Sequence, residues 1–228
     1  YSSPFKTIEY AMEQIGNKKG YIYIMDYPEI TAPITVSGSS KDITIASTDY
    51  DRNGNPTNEN ADYIKTLKRA GYYTGPIFNV TGATLKLTDL VLDGNGKLSG
   101  DSLVSATSGR IEINSGAQLK NCHGNSSSQG SALSVTGSAT LSMNYGKVSG
   151  NLSEGKGAFY FNSTGRFDVL NDVMIEDNTT SSGAKANIYL EPGRTITVTG
   201  DLNASRIGVT TARQPAASPG GISTENGQ

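Results

Sequence analysis

The chain has 228 residues, enough for one large domain or two small ones, and 19 Lys and Arg against 21 Asp and Glu leave a formal net charge of -2. That balance offers no clustered basic face for nucleic acid, and charged residues at 18% are too few for charge-driven disorder. Gly, Ser, Thr and Asn supply 94 of the 228 residues while hydrophobic residues reach only 35% and Trp is absent, a composition that predicts an elongated, thin-cored chain rich in turns and solvent-facing strand positions.

In chain order, the first element is a helix over 4–15. Phe5, Ile8, Ala11, Met12 and Ile15 fall three or four apart on one face, and Gly16-Asn17 is a stop. Strands follow at 21–25, 34–36 and 43–45, each short, β-branched and bounded by Gly, Ser, Pro or Asp. The polar stretch Asp49–Asn60 is too long for a corner, so a protruding loop is expected near 49–62, with TLKRA returning as a strand.

From residue 77 a repeat emerges. First-strand anchors fall at Val80, Ala106, Val135, Phe161 and Leu190, at intervals of 26, 29, 26 and 29. Second-strand anchors fall at Leu87, Ile113, Met143, Val169 and Val198, and third-strand anchors at Leu92, Leu119, Val148, Ile175 and Leu202. A period of this length marks a solenoid or a propeller. Three short strands per repeat with polar corners predict an all-β parallel β-helix, since a propeller blade needs four longer antiparallel strands. Asn95, Asn151 and Asn178 lie three residues beyond the third anchor, with Cys122 at that place in the second coil. Asn amides stacked at one corner can bond up and down the column, and Asn tolerates a left-handed corner. The expected organisation is a capping helix and lead-in over 1–20, a β-helix over 21–212, and a linker or disordered tail over 213–228.

The order helix, GYIYIMDYPEITAPITV, KDITIAST, FNVTGATLKLTDLVLDGN resembles right-handed parallel β-helix proteins of the pectate-lyase-like superfamily. Within it the coils are most similar to those of large bacterial cell-surface or secreted, adhesin-like proteins. The resemblance spans about residues 4–205. It implies an extracellular, secreted or surface setting, and it implies lyases, hydrolases and adhesin stalks alike, because fold does not settle function.

Polygalacturonase-like members use clustered aspartates, a Gly-His-Gly turn and an Arg-Ile-Lys segment. Here the one histidine sits in Asn121-Cys122-His123-Gly124 with no Arg-Ile-Lys after it. If the chain were an enzyme, a polysaccharide lyase or glycoside hydrolase, its carboxylates would include Asp168 and Asp172. The outward second-strand column, Lys86, Glu112, Ser142, Asp168 and Thr197, reads more plainly as a solvated face with a Lys86–Glu112 ion pair. Cys122 and His123 point apart as neighbours in an extended segment, so they do not read as nucleophile and base. No cofactor is expected, with calcium as an alternative at Asp49, Asp51 and Asn53, where DYDRNGNPTNEN begins like an EF-hand loop but lacks its closing Glu. The outward first-strand column ends in Tyr160 and Tyr189, predicting an exposed aromatic strip for a sugar ring or a peptide, with Tyr63, Tyr72 and Tyr73 as a second patch. A structural ladder is the plainer alternative for both.

No apolar run reaches the length of a membrane span, and the chain opens on Tyr1 without a signal peptide, as an excised piece would. The reading is therefore a non-enzymatic adhesion or display module, a monomer, binding a host or environmental glycan or a surface protein through its outer faces and loops. A ligand-free structural spacer is the third alternative.

Overall fold

The computed structural model describes residues 5–48, 64–96, 99–125, 129–211 and 222–224. They form a parallel β-solenoid of about 6 turns with one short helix near its N-terminus. Three long sheets make its faces. The first has seven strands, from Ile34–Ser37 to Val209–Thr211; the second has eight, from Lys19–Ile24 to Ile222–Thr224; the third has seven, from Glu29–Ile30 to Arg206–Ile207. Neighbours within every face run parallel. A fourth, three-stranded sheet (Ser99–Gly100, His123–Gly124, Leu152–Ser153) crosses the corner between the third and first faces and carries no sequence signal.

The repeat arithmetic predicts the register of the central coils. Val80, Ala106, Val135, Phe161 and Leu190 are paired in succession, as are Leu87, Ile113, Met143, Val169 and Val198. On the third face Leu92, Leu119, Val148 and Ile175 pair, but the next partner of Ile175 is Ile207, not Leu202. The corner before that strand is longer than in earlier coils, and Leu202 only packs partly buried against the end of the core. Val209–Thr211 adds the last strand of the first face, and Ile222–Thr224 adds one to the second face from within the stretch 213–228 expected to be a linker or disordered tail. The sheet edge left by the preceding coil presents backbone groups with which a further strand can pair.

The helix runs over Ile8–Ile15, shorter than 4–15, because Thr7 caps it by accepting the Tyr10 N–H at 3.1 Å. Gly16, at φ 65, ends it. Ile8, Ala11 and Met12 join the core, whereas Phe5 lies outside the helix and is exposed.

Corners between faces need left-handed backbone. Among the described residues six non-glycine residues adopt it: Asp89, Asn95, Asn121, Tyr145, Asn171 and Asp177. Five are Asn or Asp, which tolerate it through local hydrogen bonding; Tyr145 stands at the place that Asp89 and Asn171 take in other coils. Asn151 and Asn178 bond up and down the column as expected, but the left-handed residue is the one before them. In three coils the left-handed residue is Asn121, Gly150 or Asp177, and the next residue, Cys122, Asn151 or Asn178, turns inward. Asn151 Oδ1 accepts from the Cys122 N–H at 3.0 Å, and Asn178 Oδ1 accepts from Asn151 N and Nδ2 at 3.1 and 2.8 Å. Asn187 tops the column, accepting from Asn178 N and Nδ2 at 3.1 and 2.9 Å. Asn95 stays out of it: half-buried and itself left-handed, it donates to Arg69 O at 3.1 Å. Gly94 lies under Cys122 instead, where a Cβ would come within 2.6 Å of Cys122 Cα.

The column ends on Arg69, fully buried at the end of strand Lys65–Arg69. Its Nη2 donates to Asp101 O at 2.8 Å and its Nη1 to Cys122 Sγ at 3.6 Å, while Nε finds no protein acceptor. The expected Lys86–Glu112 pair is replaced by Lys86–Asp42 at 3.0 Å and Arg110–Glu112 at 2.7 Å. Lys86 and Glu112 are register partners, yet Lys86 reaches diagonally to Asp42 and Glu112 is taken by Arg110, two residues away along its own strand.

Candidate functional site

Strands Phe159–Ser163 and Ile188–Leu190 set Tyr160 directly beside Tyr189, with ring centroids 6.2 Å apart and planes at 43°. The two tyrosines are neighbours, yet they form no open strip, because Tyr160 is only 7% exposed. Lys156, from the segment leading into the first of these strands, places its ammonium 4.2 Å from the Tyr189 centroid and 5.7 Å from that of Tyr160. Glu191 Oε1 accepts from Lys156 Nζ at 2.8 Å and from the Tyr160 hydroxyl at 3.0 Å. Hydrogen bonding to Lys156 holds the Glu191 carboxyl below its ordinary range, and the same contact raises the Lys156 ammonium. Burial, then the bond to Glu191, raises the Tyr160 hydroxyl. Alternation along a strand tells which side a residue faces, but not which other side chains cover that side.

Of the second aromatic patch, Tyr72 stands 75% exposed. Tyr73 is half-buried and donates its hydroxyl to Pro76 O at 2.8 Å; burial raises that hydroxyl's pKa. Tyr63 and the calcium candidates Asp49, Asp51 and Asn53 lie outside the described residues, as does the loop expected near 49–62.

The acidic residues are each tied to a separate partner. Asp168 pairs with Arg166 at 3.0 Å on the second face, Asp172 accepts the Ala204 N–H at 2.8 Å at a corner, and Glu176 takes Arg206 Nη2 at 2.9 Å. The Arg206 guanidinium holds Glu176 below the usual carboxylate range. Among the described residues, no three His, Cys, Asp or Glu side chains gather in a way that would hold a metal ion. His123 Nε2 lies 3.4 Å from Glu154 Oε1, while the neighbouring Cys122 thiol is buried and burial pushes it up to about 11. A thiol so protonated is no nucleophile at neutral pH.

A concave surface that the sequence did not single out lies at the N-terminal end. A groove of about 800 Å³ runs between the helix and the first coil, lined by Ile8, Ala11, Ile22, Ile24 and Ile30 on its apolar side. Tyr21 and Tyr23, 56% and 59% exposed, stand at its edge with near-parallel rings (15°) whose centroids are 6.4 Å apart. Lys19 approaches the Tyr21 ring at 5.9 Å, and Lys65 lies 4.9 Å from that of Tyr27. Phe5 and Tyr10 meet edge-to-face at 5.4 Å on the helix side. The signal was present in Tyr21-Ile22-Tyr23-Ile24: its alternation sends isoleucines into the core and tyrosines out. Compared with protein-family models, curated proteins and solved structures, the chain finds no match.

Proposed function

We infer that the chain is a non-enzymatic binding module of a secreted or cell-surface, adhesin-like bacterial protein, seating a glycan on the tyrosines of its first coil. One observation carries this reading. Among the described residues all seven exposed large hydrophobic side chains are aromatic, and five of them, Phe5 just before the helix, Tyr10 in it, and Tyr21, Tyr23 and Tyr27 of the first coil, lie at the N-terminal end. A tyrosine ring offers an apolar face for the C–H side of a sugar and a hydroxyl for its rim. The groove beside the rings adds carboxylates, Glu9 and Glu29, as acceptors for sugar hydroxyls. Clustering of apolar rings on one end of an otherwise polar surface is the pattern of an interaction site.

The spacer reading is favoured by a different observation, the closure of Tyr160 under Lys156 and Glu191, which leaves the central faces dominated by small polar and ion-paired groups. A polysaccharide-cleaving activity would need Asp168 or Asp172 freed from its present partner. A glycan array with the whole chain, run beside an assay for released reducing or unsaturated sugar, separates the three. Selective binding without product supports the binding module, product supports an enzyme, and silence in both supports the spacer.

A further inference from the structure

Away from the first coil, the geometry around Tyr160 has the parts of a receptor for an ammonium group. Two aromatic faces and one carboxylate converge on a single point: Tyr189 and Tyr160, with Glu191 Oε1 2.8 Å from the nitrogen now there. An ammonium over aromatic rings is held by their quadrupoles, most strongly where water is kept away. Three of the four parts belong to the frame. Tyr160 and Tyr189 lie in paired strands, Glu191 directly follows the second of them, and the Tyr160 hydroxyl bonds Glu191 independently of the cation. The fourth part, Lys156, comes from the connection between Leu152–Ser153 and Phe159–Ser163, flanked by Gly155 and by Gly157 at φ +70.

We propose that Tyr160, Tyr189 and Glu191 form a binding site for an organic ammonium group, and that Lys156 occupies it as an internal competitor. An external alkylammonium enters when the glycine-flanked segment carries Lys156 away. Apparent affinity in the native chain is then reduced by the fraction of molecules in which Lys156 is withdrawn. The site is separate from the first-coil groove and does not depend on glycan binding there.

The test titrates choline chloride into the whole chain and into Lys156→Ala, with sodium chloride at equal ionic strength as control, following the tyrosine ring signals by NMR. The expected result is saturable movement of the Tyr160 and Tyr189 signals in Lys156→Ala, with native affinity lower by about tenfold or more. Adding Glu191→Gln or Tyr189→Ala to Lys156→Ala should abolish the movement. A folded Lys156→Ala chain, verified by circular dichroism, that shows no saturable shift overturns the site. Equal affinity in the native chain and the variant overturns the internal competition. Should Lys156→Ala fail to fold, Lys156→Gln, which keeps the length of the side chain and removes its charge, is read by the same criteria.

Discussion

Asn151 spends its whole amide inside the protein. Its Oδ1 accepts the Cys122 N–H, and its Nδ2 lies within 3.1 Å of Leu119 O, 3.2 Å of Ser149 O and 2.8 Å of Asn178 Oδ1. Buried polar groups left without partners cost more than a typical hydrogen bond contributes, so Asn151→Ala should destabilise by about 2–4 kcal/mol and lower the melting temperature by roughly 5–15 °C. An unchanged melting temperature would remove the column from the account of stability. Tyr145 is the converse case. It holds φ 64 and is 48% exposed, where a bulky residue is strained and Asn is not. Tyr145→Asn should therefore stabilise by about 0.5–1 kcal/mol, read as a higher midpoint in urea. The corner asparagines 151 and 178 were legible from spacing. Arg69 was not: period-two alternation from Leu67 turns it inward, but nothing local announces that Gly100, where a Cβ would come within 2.9 Å of Arg69 Nη1, leaves room for the guanidinium beside Cys122.

Between elements, the paired strands Phe159–Ser163 and Ile188–Leu190 owe their outer surface to the Lys156–Glu191 contact. Glu191 is held below its ordinary pKa, so its contribution to stability is present above the ordinary carboxylate value, about 4.3, and is lost as pH falls through the lowered folded value. Lys156 is raised, so its contribution is present below the ordinary lysine value, about 10.4, and is lost as pH rises through the raised one. The melting-temperature gap between the native chain and Glu191→Gln should thus be flat from about pH 5 to about pH 10 and close on either side. A gap that does not change with pH would mean that Glu191 acts by packing alone. Element registers were readable because each coil repeats one inward anchor per face. The reading slipped at Leu202, where a longer corner put a second apolar residue, Ile207, in competition for the same position. It also slipped at Tyr160, where the covering groups come from residues 156 and 191, distant in sequence.

Across the whole molecule, apolar burial is uneven along the axis. Ile43, Ile45 and Leu67 are fully buried, whereas Ile22 and Ile30 of the first coil are 8% and 7% exposed. The eight-residue helix packs against strands Lys19–Ile24 and Ile34–Ser37 and leaves a groove along the remaining edge, with the exposed tyrosines beside it. A solenoid buries its core by stacking, and only its ends keep apolar surface available. The composition pointed to turns and solvent-facing strand positions, and the repeat to the parallel β-helix. Which end would hold the aromatic surface could not be read from composition or repeat length, because the central repeats carry Ser, Thr and Asn outward and the first coil is not one of them. The most direct measurement is a glycan array comparing the native chain with Tyr21→Ala/Tyr23→Ala and with Tyr72→Ala, each verified as folded. The account predicts selective binding that the double variant loses and Tyr72→Ala retains; binding that survives the loss of Tyr21 and Tyr23 would contradict it.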